Sequence, residues 1–222
     1  MSSMLLKKEV LDQINKIDLQ NNKPLLISDA DEVILNFIRT FELYLADYGL
    51  YYDTSSYALF GNIKKIKNKL PVSNDKIIEH LNNFYNAHTE NISFVNDSIK
   101  YLKKINSELE VQIIVLSNLP SHNRKKREIS FKKNGLHFPI ISNSGLKGAA
   151  IKEIVKNQNN KIFFIDDISA NLLSAHKEVK GIRLIHYISD ERLAMLATTP
   201  PEIHLRATDW ENIYEYIKNE TI

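Results

Sequence analysis

Leu25-Leu26-Ile27-Ser28-Asp29-Ala30-Asp31-Glu32-Val33 runs an unbroken apolar triplet into two aspartates that lie two positions apart. Continuous apolar residues, rather than alternating ones, suit a strand buried on both faces of a parallel sheet. Side chains two apart in extended backbone share a face, so Asp29 and Asp31 point the same way. The pattern recurs at Ile113-Ile114-Val115-Leu116 before Ser117-Asn118, at Pro139-Ile140-Ile141 before Ser142, and at Ile162-Phe163-Phe164-Ile165 before Asp166-Asp167. Ile182 to Tyr187 reads as a fifth strand.

Helical spacing fills the gaps, at Ser121 to Asn134 (stopped by Gly135), Lys147 to Asn157 and Ser169 to Val179. Strand and helix in regular alternation predict an α/β fold with a doubly wound parallel sheet. Asn36 to Lys100 breaks the rhythm and reads as helices only: Phe37 to Tyr48 ending at Gly49, a segment near Tyr57 to Leu70, Asp75 to His88, and Asp97 to Ile105. The expected organisation is an α/β core from 1–35 and 101–222, with a small α-helical cap from 36–100 inserted after the first strand. A last helix follows Asp209, with Trp210, Ile213, Tyr214 and Ile217 turned to the core.

A chain of 222 residues accommodates one α/β domain with such an insertion. Its net charge of +2 provides no global field to recruit nucleic acid. Cysteine is absent, which excludes disulfides, thiolate metal sites and cysteine nucleophiles together. Met1 to Leu19 is amphipathic at helical spacing and lacks the unbroken apolar run of a signal peptide. No stretch approaches the ~20 apolar residues that span a bilayer. A cytoplasmic protein without a membrane or nucleic-acid partner is the expectation.

Ligands of open α/β sheets bind beyond the carboxyl ends of the strands. Those ends carry Asp29, Asp31, Ser117, Asn118, Asp166 and Asp167, with Lys147 opening a helix. Four carboxylates facing one ammonium require a cation. Oxygen ligands without His or Cys favour Mg²⁺, which shares its coordination sphere with waters and phosphate. Such a site suits phosphoryl transfer.

The run from Leu25 to Val33 resembles motif I of the haloacid dehalogenase-like hydrolases, an apolar strand followed by Asp-x-Asp-x-Thr/Val. Ser117-Asn118 is similar to motif II of that superfamily, Lys147 before Gly148 to motif III, and Asp166-Asp167 with Asn171 to the acidic motif IV. The four occur in the family's order between Pro24 and about His186, and an insertion directly after motif I corresponds to a type 1 cap.

The resemblance implies hydrolysis of a small phosphomonoester, a phosphorylated metabolite, through an aspartyl phosphate. It implies that Asp29 attacks phosphorus and that Asp31 protonates the leaving alcohol and then activates water. Ser117 and the Asn118 amide would hold phosphate oxygens, and Lys147 would balance the charge of Asp29 and the phosphate. Mg²⁺ would bind the Asp29 carboxylate, the Asp31 carbonyl and the Asp167 carboxylate, with Asp166 orienting water and Lys147 from behind. Two positions depart from the pattern. Glu32 stands where many relatives have Gly, at the turn into the cap, where a bulky acid would touch substrate or alter cap movement. Asn171 stands where Asp is frequent.

Other readings attach to the remaining features. Singly, aspartates after strands are turn or helix N-cap residues. Arg124-Lys125-Lys126-Arg127 reads as a solvated helix face with a modest part in attracting anions, and Lys64, Lys65, Lys67 and Lys69 read as solvent-facing. Tyr51, Tyr52, Tyr57 and Phe60 read as the core of the cap, and no histidine pair has ligand spacing. Dehalogenation has no need of Asp31 or Mg²⁺. Phosphomutase-like transfer differs only in the acceptor. A non-catalytic binding protein on this fold would tolerate loss of Asp29, Asp31 or Lys147, and all three are present.

Overall fold

The computed structural model describes residues 6–221. In chain order, α1 (Lys8–Ile14) precedes the central strand β1 (Leu25–Ser28). The insertion then contributes α2 (Phe37–Ala46), β2 (Leu50–Tyr52), β3 (Ile63–Lys65) and α3 (Asn74–His88). The chain returns through α4 (Ser98–Glu108), β4 (Gln112–Ser117), α5 (Arg124–Lys133), β5 (Ile140–Ser142) and α6 (Gly148–Val155). It ends with β6 (Ile162–Asp166), α7 (Ser169–Glu178), β7 (Arg183–His186), α8 (Glu191–Ala194), β8 (Leu205–Arg206) and α9 (Trp210–Thr221).

Six strands form one sheet in the order β5-β4-β1-β6-β7-β8, every neighbouring pair parallel. The period-2 geometry of β1 explains its composition. Leu25 and Ile27 pack with Val10, Ile14, Ile151 and Leu172 on the face covered by α1, α6 and α7, whereas Leu26 faces the layer that includes Leu102, Phe131, Trp210 and Ile217. Both faces are dry, so neither tolerates a polar residue until the strand ends. Register then decides where the polar ends meet. Ser28 lies opposite Val115 and Ile165, which sets Asp29 level with the last residues of β4 and β6. The Asp29 amide extends that ladder by donating to the Ile165 carbonyl at 2.9 Å.

The insertion is not all helix. Where helical spacing predicts a helix near Tyr57 to Leu70, the chain places β3, which forms an antiparallel ribbon with β2 upstream, Tyr52 opposite Ile63. Asn62 accounts for the difference: its side-chain amide donates to the Ser56 and Ala58 carbonyls and the Ser56 hydroxyl, and next to it Gly61 has φ +86°. Side-chain bonds of this kind compete with a helical ladder. The block is held inside by packed aromatics, among them the edge-to-face pairs Phe41 against Phe84 at 5.1 Å and Phe37 against Phe84 at 5.4 Å. The helix expected over Asp97 to Ile105 runs as α4 to Glu108 and packs on α9, with Tyr101 against Tyr214 at 5.6 Å. The N-terminal helix is α1; residues 1–5 of the expected Met1 to Leu19 segment lie outside the described residues. No helix of the described residues is long and apolar enough to cross a membrane.

Candidate active site

Lys147 is the centre of the arrangement. Its Nζ lies 2.6 Å from Asp29 Oδ1 and 2.6 Å from Asp166 Oδ2, with all three residues buried. Asp166 Oδ1 accepts from Asn171 Nδ2 at 3.0 Å and from the Ile168 amide at 2.9 Å. Both oxygens of Asp166 are therefore committed to holding Lys147 and the start of α7. Lys147 reaches this position because Gly148 lets α6 approach α7: a Cβ at 148 would stand 2.3 Å from the Ser174 carbonyl oxygen.

Asp31 is held on both oxygens. Arg127 Nη1 donates to Oδ1 at 2.9 Å and the Tyr85 hydroxyl donates to Oδ2 at 3.0 Å. Arg127 corrects the reading of its basic run as a solvated face. It is fully buried, and its Nε and Nη2 make no hydrogen bond. The signal was helical spacing: Asn123, Arg127 and Phe131 recur every four residues, and all three are buried. Lys125 remains exposed, and Lys126 reaches across to the Asn86 carbonyl at 2.6 Å.

Asp167 receives the Tyr57 hydroxyl on Oδ2 at 2.5 Å, and the same hydroxyl lies 3.2 Å from its carbonyl oxygen. Buried His186 also touches that carbonyl, Nε2 to oxygen at 3.0 Å, while Arg206 Nη1 lies 2.9 Å from Nδ1. Arg206 can only donate, so Nδ1 accepts and Nε2 carries the proton. His186 has no spacing signal in the sequence; only the pairing of β7 with β6 brings it here. At the end of β4, buried Ser117 Oγ makes no hydrogen bond. Asn118 lies between Asn143 and the Gly145 carbonyl, at 2.9 and 3.0 Å.

Charge is crowded here. Burial pushes Asp29 up to about 7 against the pull of Lys147, and Asp166 and Asp31 add to the push. Burial, then Asp166 and Asp29, hold Asp167 well above the usual carboxylate range. Burial works against the Lys147 ammonium, but Asp166 and Asp29 outweigh it and hold the group above its ordinary value. Four carboxylates now face two cations, Lys147 and Arg127, one more than the sequence suggests, and the excess is still negative. Oxygens of Asp29, Asp166 and Asp167 lie within 4.8 Å of one another. An all-oxygen, net-negative set fits a hard divalent cation such as Mg²⁺.

Glu32 is a tie rather than a hinge. Its φ of +59° is a left-handed conformation that explains why glycine would suit the position. The carboxylate offsets that strain. Oε1 accepts from the Ile38 amide in the first turn of α2 at 2.6 Å, and Oε2 accepts from Ser189 Oγ at 2.9 Å and the Asp190 amide at 3.2 Å. Burial pushes Glu32 up to about 7 against these bonds. Arg192 adds a second tie, donating to both oxygens of Glu42 on α2 at 3.0 and 2.8 Å.

A cavity of about 540 Å³ lies between this charged floor and the insertion. Asp29, Asp31, Asn118, Lys147, Asp167 and Asn171 line it, whereas Ser117 and Asp166 stand behind them. Tyr52, Tyr57 and Phe60 line it as well, so these rings are not only internal packing of the insertion; Tyr51 does not.

No family model matches the sequence, and no curated protein matches it. Solved structures do match in shape. A haloacid dehalogenase-like family hydrolase from Streptococcus pneumoniae superposes with a TM-score of 0.58 at 14% identity, over 88% of this chain and 98% of that one. The chain has the haloacid dehalogenase-like fold. A β-phosphoglucomutase from Clostridium difficile shares it at TM-score 0.53 and 15% identity, over 89% and 96% of the two chains. So does a D,D-heptose 1,7-bisphosphate phosphatase from B. bronchiseptica, solved with magnesium and phosphate, at TM-score 0.50 and 8% identity over 89% and 99%. On this haloacid dehalogenase-like fold, the carboxylates collect beyond the carboxyl ends of β1 and β6.

Proposed function

We propose that this protein is a magnesium-dependent phosphatase that hydrolyses a small phosphomonoester through an aspartyl phosphate on Asp29. The observation that carries this reading is Lys147 Nζ, at 2.6 Å from both Asp29 and Asp166, beside the cavity-lining carboxylates Asp31 and Asp167. Asp29 lines the cavity floor and attacks phosphorus while the ester oxygen leaves. Asp31, two residues on, gives that oxygen its proton and then takes one from the water that cleaves the aspartyl phosphate. Lys147 and Asn118, through its amide, hold phosphate oxygens from the cavity lining, and the Ser117 hydroxyl, buried behind them without a partner, joins them once phosphate is bound. The Asp29 and Asp167 carboxylates and the Asp31 main-chain carbonyl would hold Mg²⁺, which supplies positive charge against the phosphoryl oxygens when bound. Asp166 and Asn171 keep Lys147 aimed.

The block from 36–100, less the first turn of α4, serves as a cap that excludes water and contacts the alcohol part of the substrate. Its ties through Glu32, Tyr57, Tyr85 and Glu42 describe a closed arrangement.

Purified protein assayed against a panel of phosphomonoesters should release phosphate only with Mg²⁺. Excess EDTA should stop turnover without altering far-UV circular dichroism. Full activity in EDTA would remove the mechanism.

A further inference from the structure

The cavity separates its chemistry by origin. Every charged residue that lines it belongs to the floor: Asp29, Asp31, Glu32, Lys147 and Asp167. The inserted block supplies Phe37, Ile38, Tyr52, Leu59, Phe60 and Leu81, and none of its lining residues is charged. The same block carries Lys64, Lys65, Lys67 and Lys69, and none of these reaches the cavity. Two apolar residues stay open to solvent on the lining, Phe60 at 48% exposure from the insertion and Ile168 at 42% from the core. Exposed apolar surface on a concave site is the usual mark of an apolar ligand.

A phosphate held by Lys147 uses the one cation that lines the cavity, because Arg127 is paired with Asp31 and does not line it. A second anionic group, such as the carboxylate of a phosphorylated hydroxy acid or another phosphate, would meet hydrocarbon above and surplus carboxylate below. We infer that the substrate is a phosphomonoester of an uncharged, predominantly apolar alcohol, with its aliphatic or aromatic part against Phe37, Leu59, Phe60 and Leu81. This rests on the phosphatase reading, and the test separates the two.

The test compares kcat/KM for ethyl, butyl and hexyl phosphate and for the six-carbon ester ending in a carboxylate. All four release primary alcohols, so differences report the roof rather than the leaving group. Specificity should climb about threefold to fourfold per added methylene until the cavity is filled. The terminal carboxylate should cost about tenfold or more against hexyl phosphate. Phe60→Lys, a change at an exposed position, should flatten the climb and raise the carboxylated ester relative to hexyl phosphate. Calorimetric binding of hexylphosphonate and ethylphosphonate gives a readout independent of turnover. Turnover that is flat across the series, or best with the carboxylated ester, overturns the inference and leaves the phosphatase standing. No turnover, but hexylphosphonate bound more tightly than ethylphosphonate, upholds the apolar site and overturns the phosphatase. Neither turnover nor binding overturns both.

Discussion

The floor and the roof of the cavity were built by different rules. The floor is register: parallel strands bring Asp29, Asn118 and Asp167 to one edge of the sheet, and buried ion pairs through Lys147 and Arg127 fix the carboxylates. The roof is packing, made of apolar side chains from α2, the β2–β3 ribbon and α3, joined to the floor by single hydroxyls and by Glu32 and Arg192. A floor of this kind sets reaction chemistry and tolerates no change of charge. In the proposed phosphatase a roof of this kind sets which alcohol fits, and it tolerates changes that keep volume and polarity.

The sharpest way to break the comparison is at Asp29. Asp29→Asn removes the proposed nucleophile, so turnover should vanish and no acid-stable phosphate should remain on the protein. The fold should survive, because Lys147 keeps Asp166 at 2.6 Å. Steady-state assay and a thermal melt check both halves. Retained turnover places the nucleophile elsewhere.

Asp31 should lose less. Asp31→Asn removes the proposed proton transfer, a loss of about 10²–10⁴-fold. With p-nitrophenyl phosphate, whose leaving group departs unaided, rapid mixing should show a burst of about one equivalent and then a stall. Arg127→Met tests the partner. Removing one member of a buried pair should cost about 3 kcal/mol of stability. The double variant Asp31→Asn/Arg127→Met should lose less than the sum of the two, as a denaturant-based double-mutant cycle would read. Additive losses would make the 2.9 Å contact energetically empty.

The same contrast governs what was legible in the sequence. The sheet is legible because double-sided burial leaves continuous apolar runs, and the strand-end aspartates follow from where those runs stop. Arg127 was obscured by its neighbours: three of four basic residues in a row are solvent-accessible to some degree, and only the helical stripe through Asn123 and Phe131 marks the fourth as buried. The ribbon of β2 and β3 was obscured because Asn62 does by side-chain bonds what no periodicity records. β8 is two residues long, too short to carry a pattern. The apolar roof is a property of which residues share a cavity, not of any spacing along the chain.

Gly148 probes how far the floor depends on backbone. Gly148→Ala would set a methyl 2.3 Å from the Ser174 carbonyl and 2.4 Å from its hydroxyl. Backbone cannot rotate away as a side chain does, so α6 must shift, at about 2 kcal/mol. That corresponds to a fall in Tm of about 4–8 °C for a domain of this size. Because Lys147 precedes the glycine, kcat should fall as well. Adding Ser174→Ala should relieve the hydroxyl clash only, leaving most of both losses. Full rescue would show that the hydroxyl alone, not the main chain, sets the approach.

The smallest expected effect lies where roof meets floor. The Tyr57 hydroxyl, carried by the insertion, donates to Asp167 Oδ2 at 2.5 Å and leaves the other carboxylate oxygen free of any such bond. Burial, with Asp167 close by, pushes this phenol far above its ordinary value, so it remains a donor throughout the working pH range. A donor on one oxygen fixes the orientation of the other, as outer hydrogen bonds do for metal ligands. Tyr57→Phe keeps the ring against the cavity and removes only that bond. Its Mg²⁺ affinity should weaken about tenfold, while kcat at saturating Mg²⁺ stays within about threefold of the parent. Titrating activity with Mg²⁺, alongside direct calorimetry, separates the two quantities. An unchanged affinity would make the hydroxyl a tether of the cap alone. A tighter one would mean that it competes with the cation for Asp167, and that the closed arrangement must loosen before metal is bound.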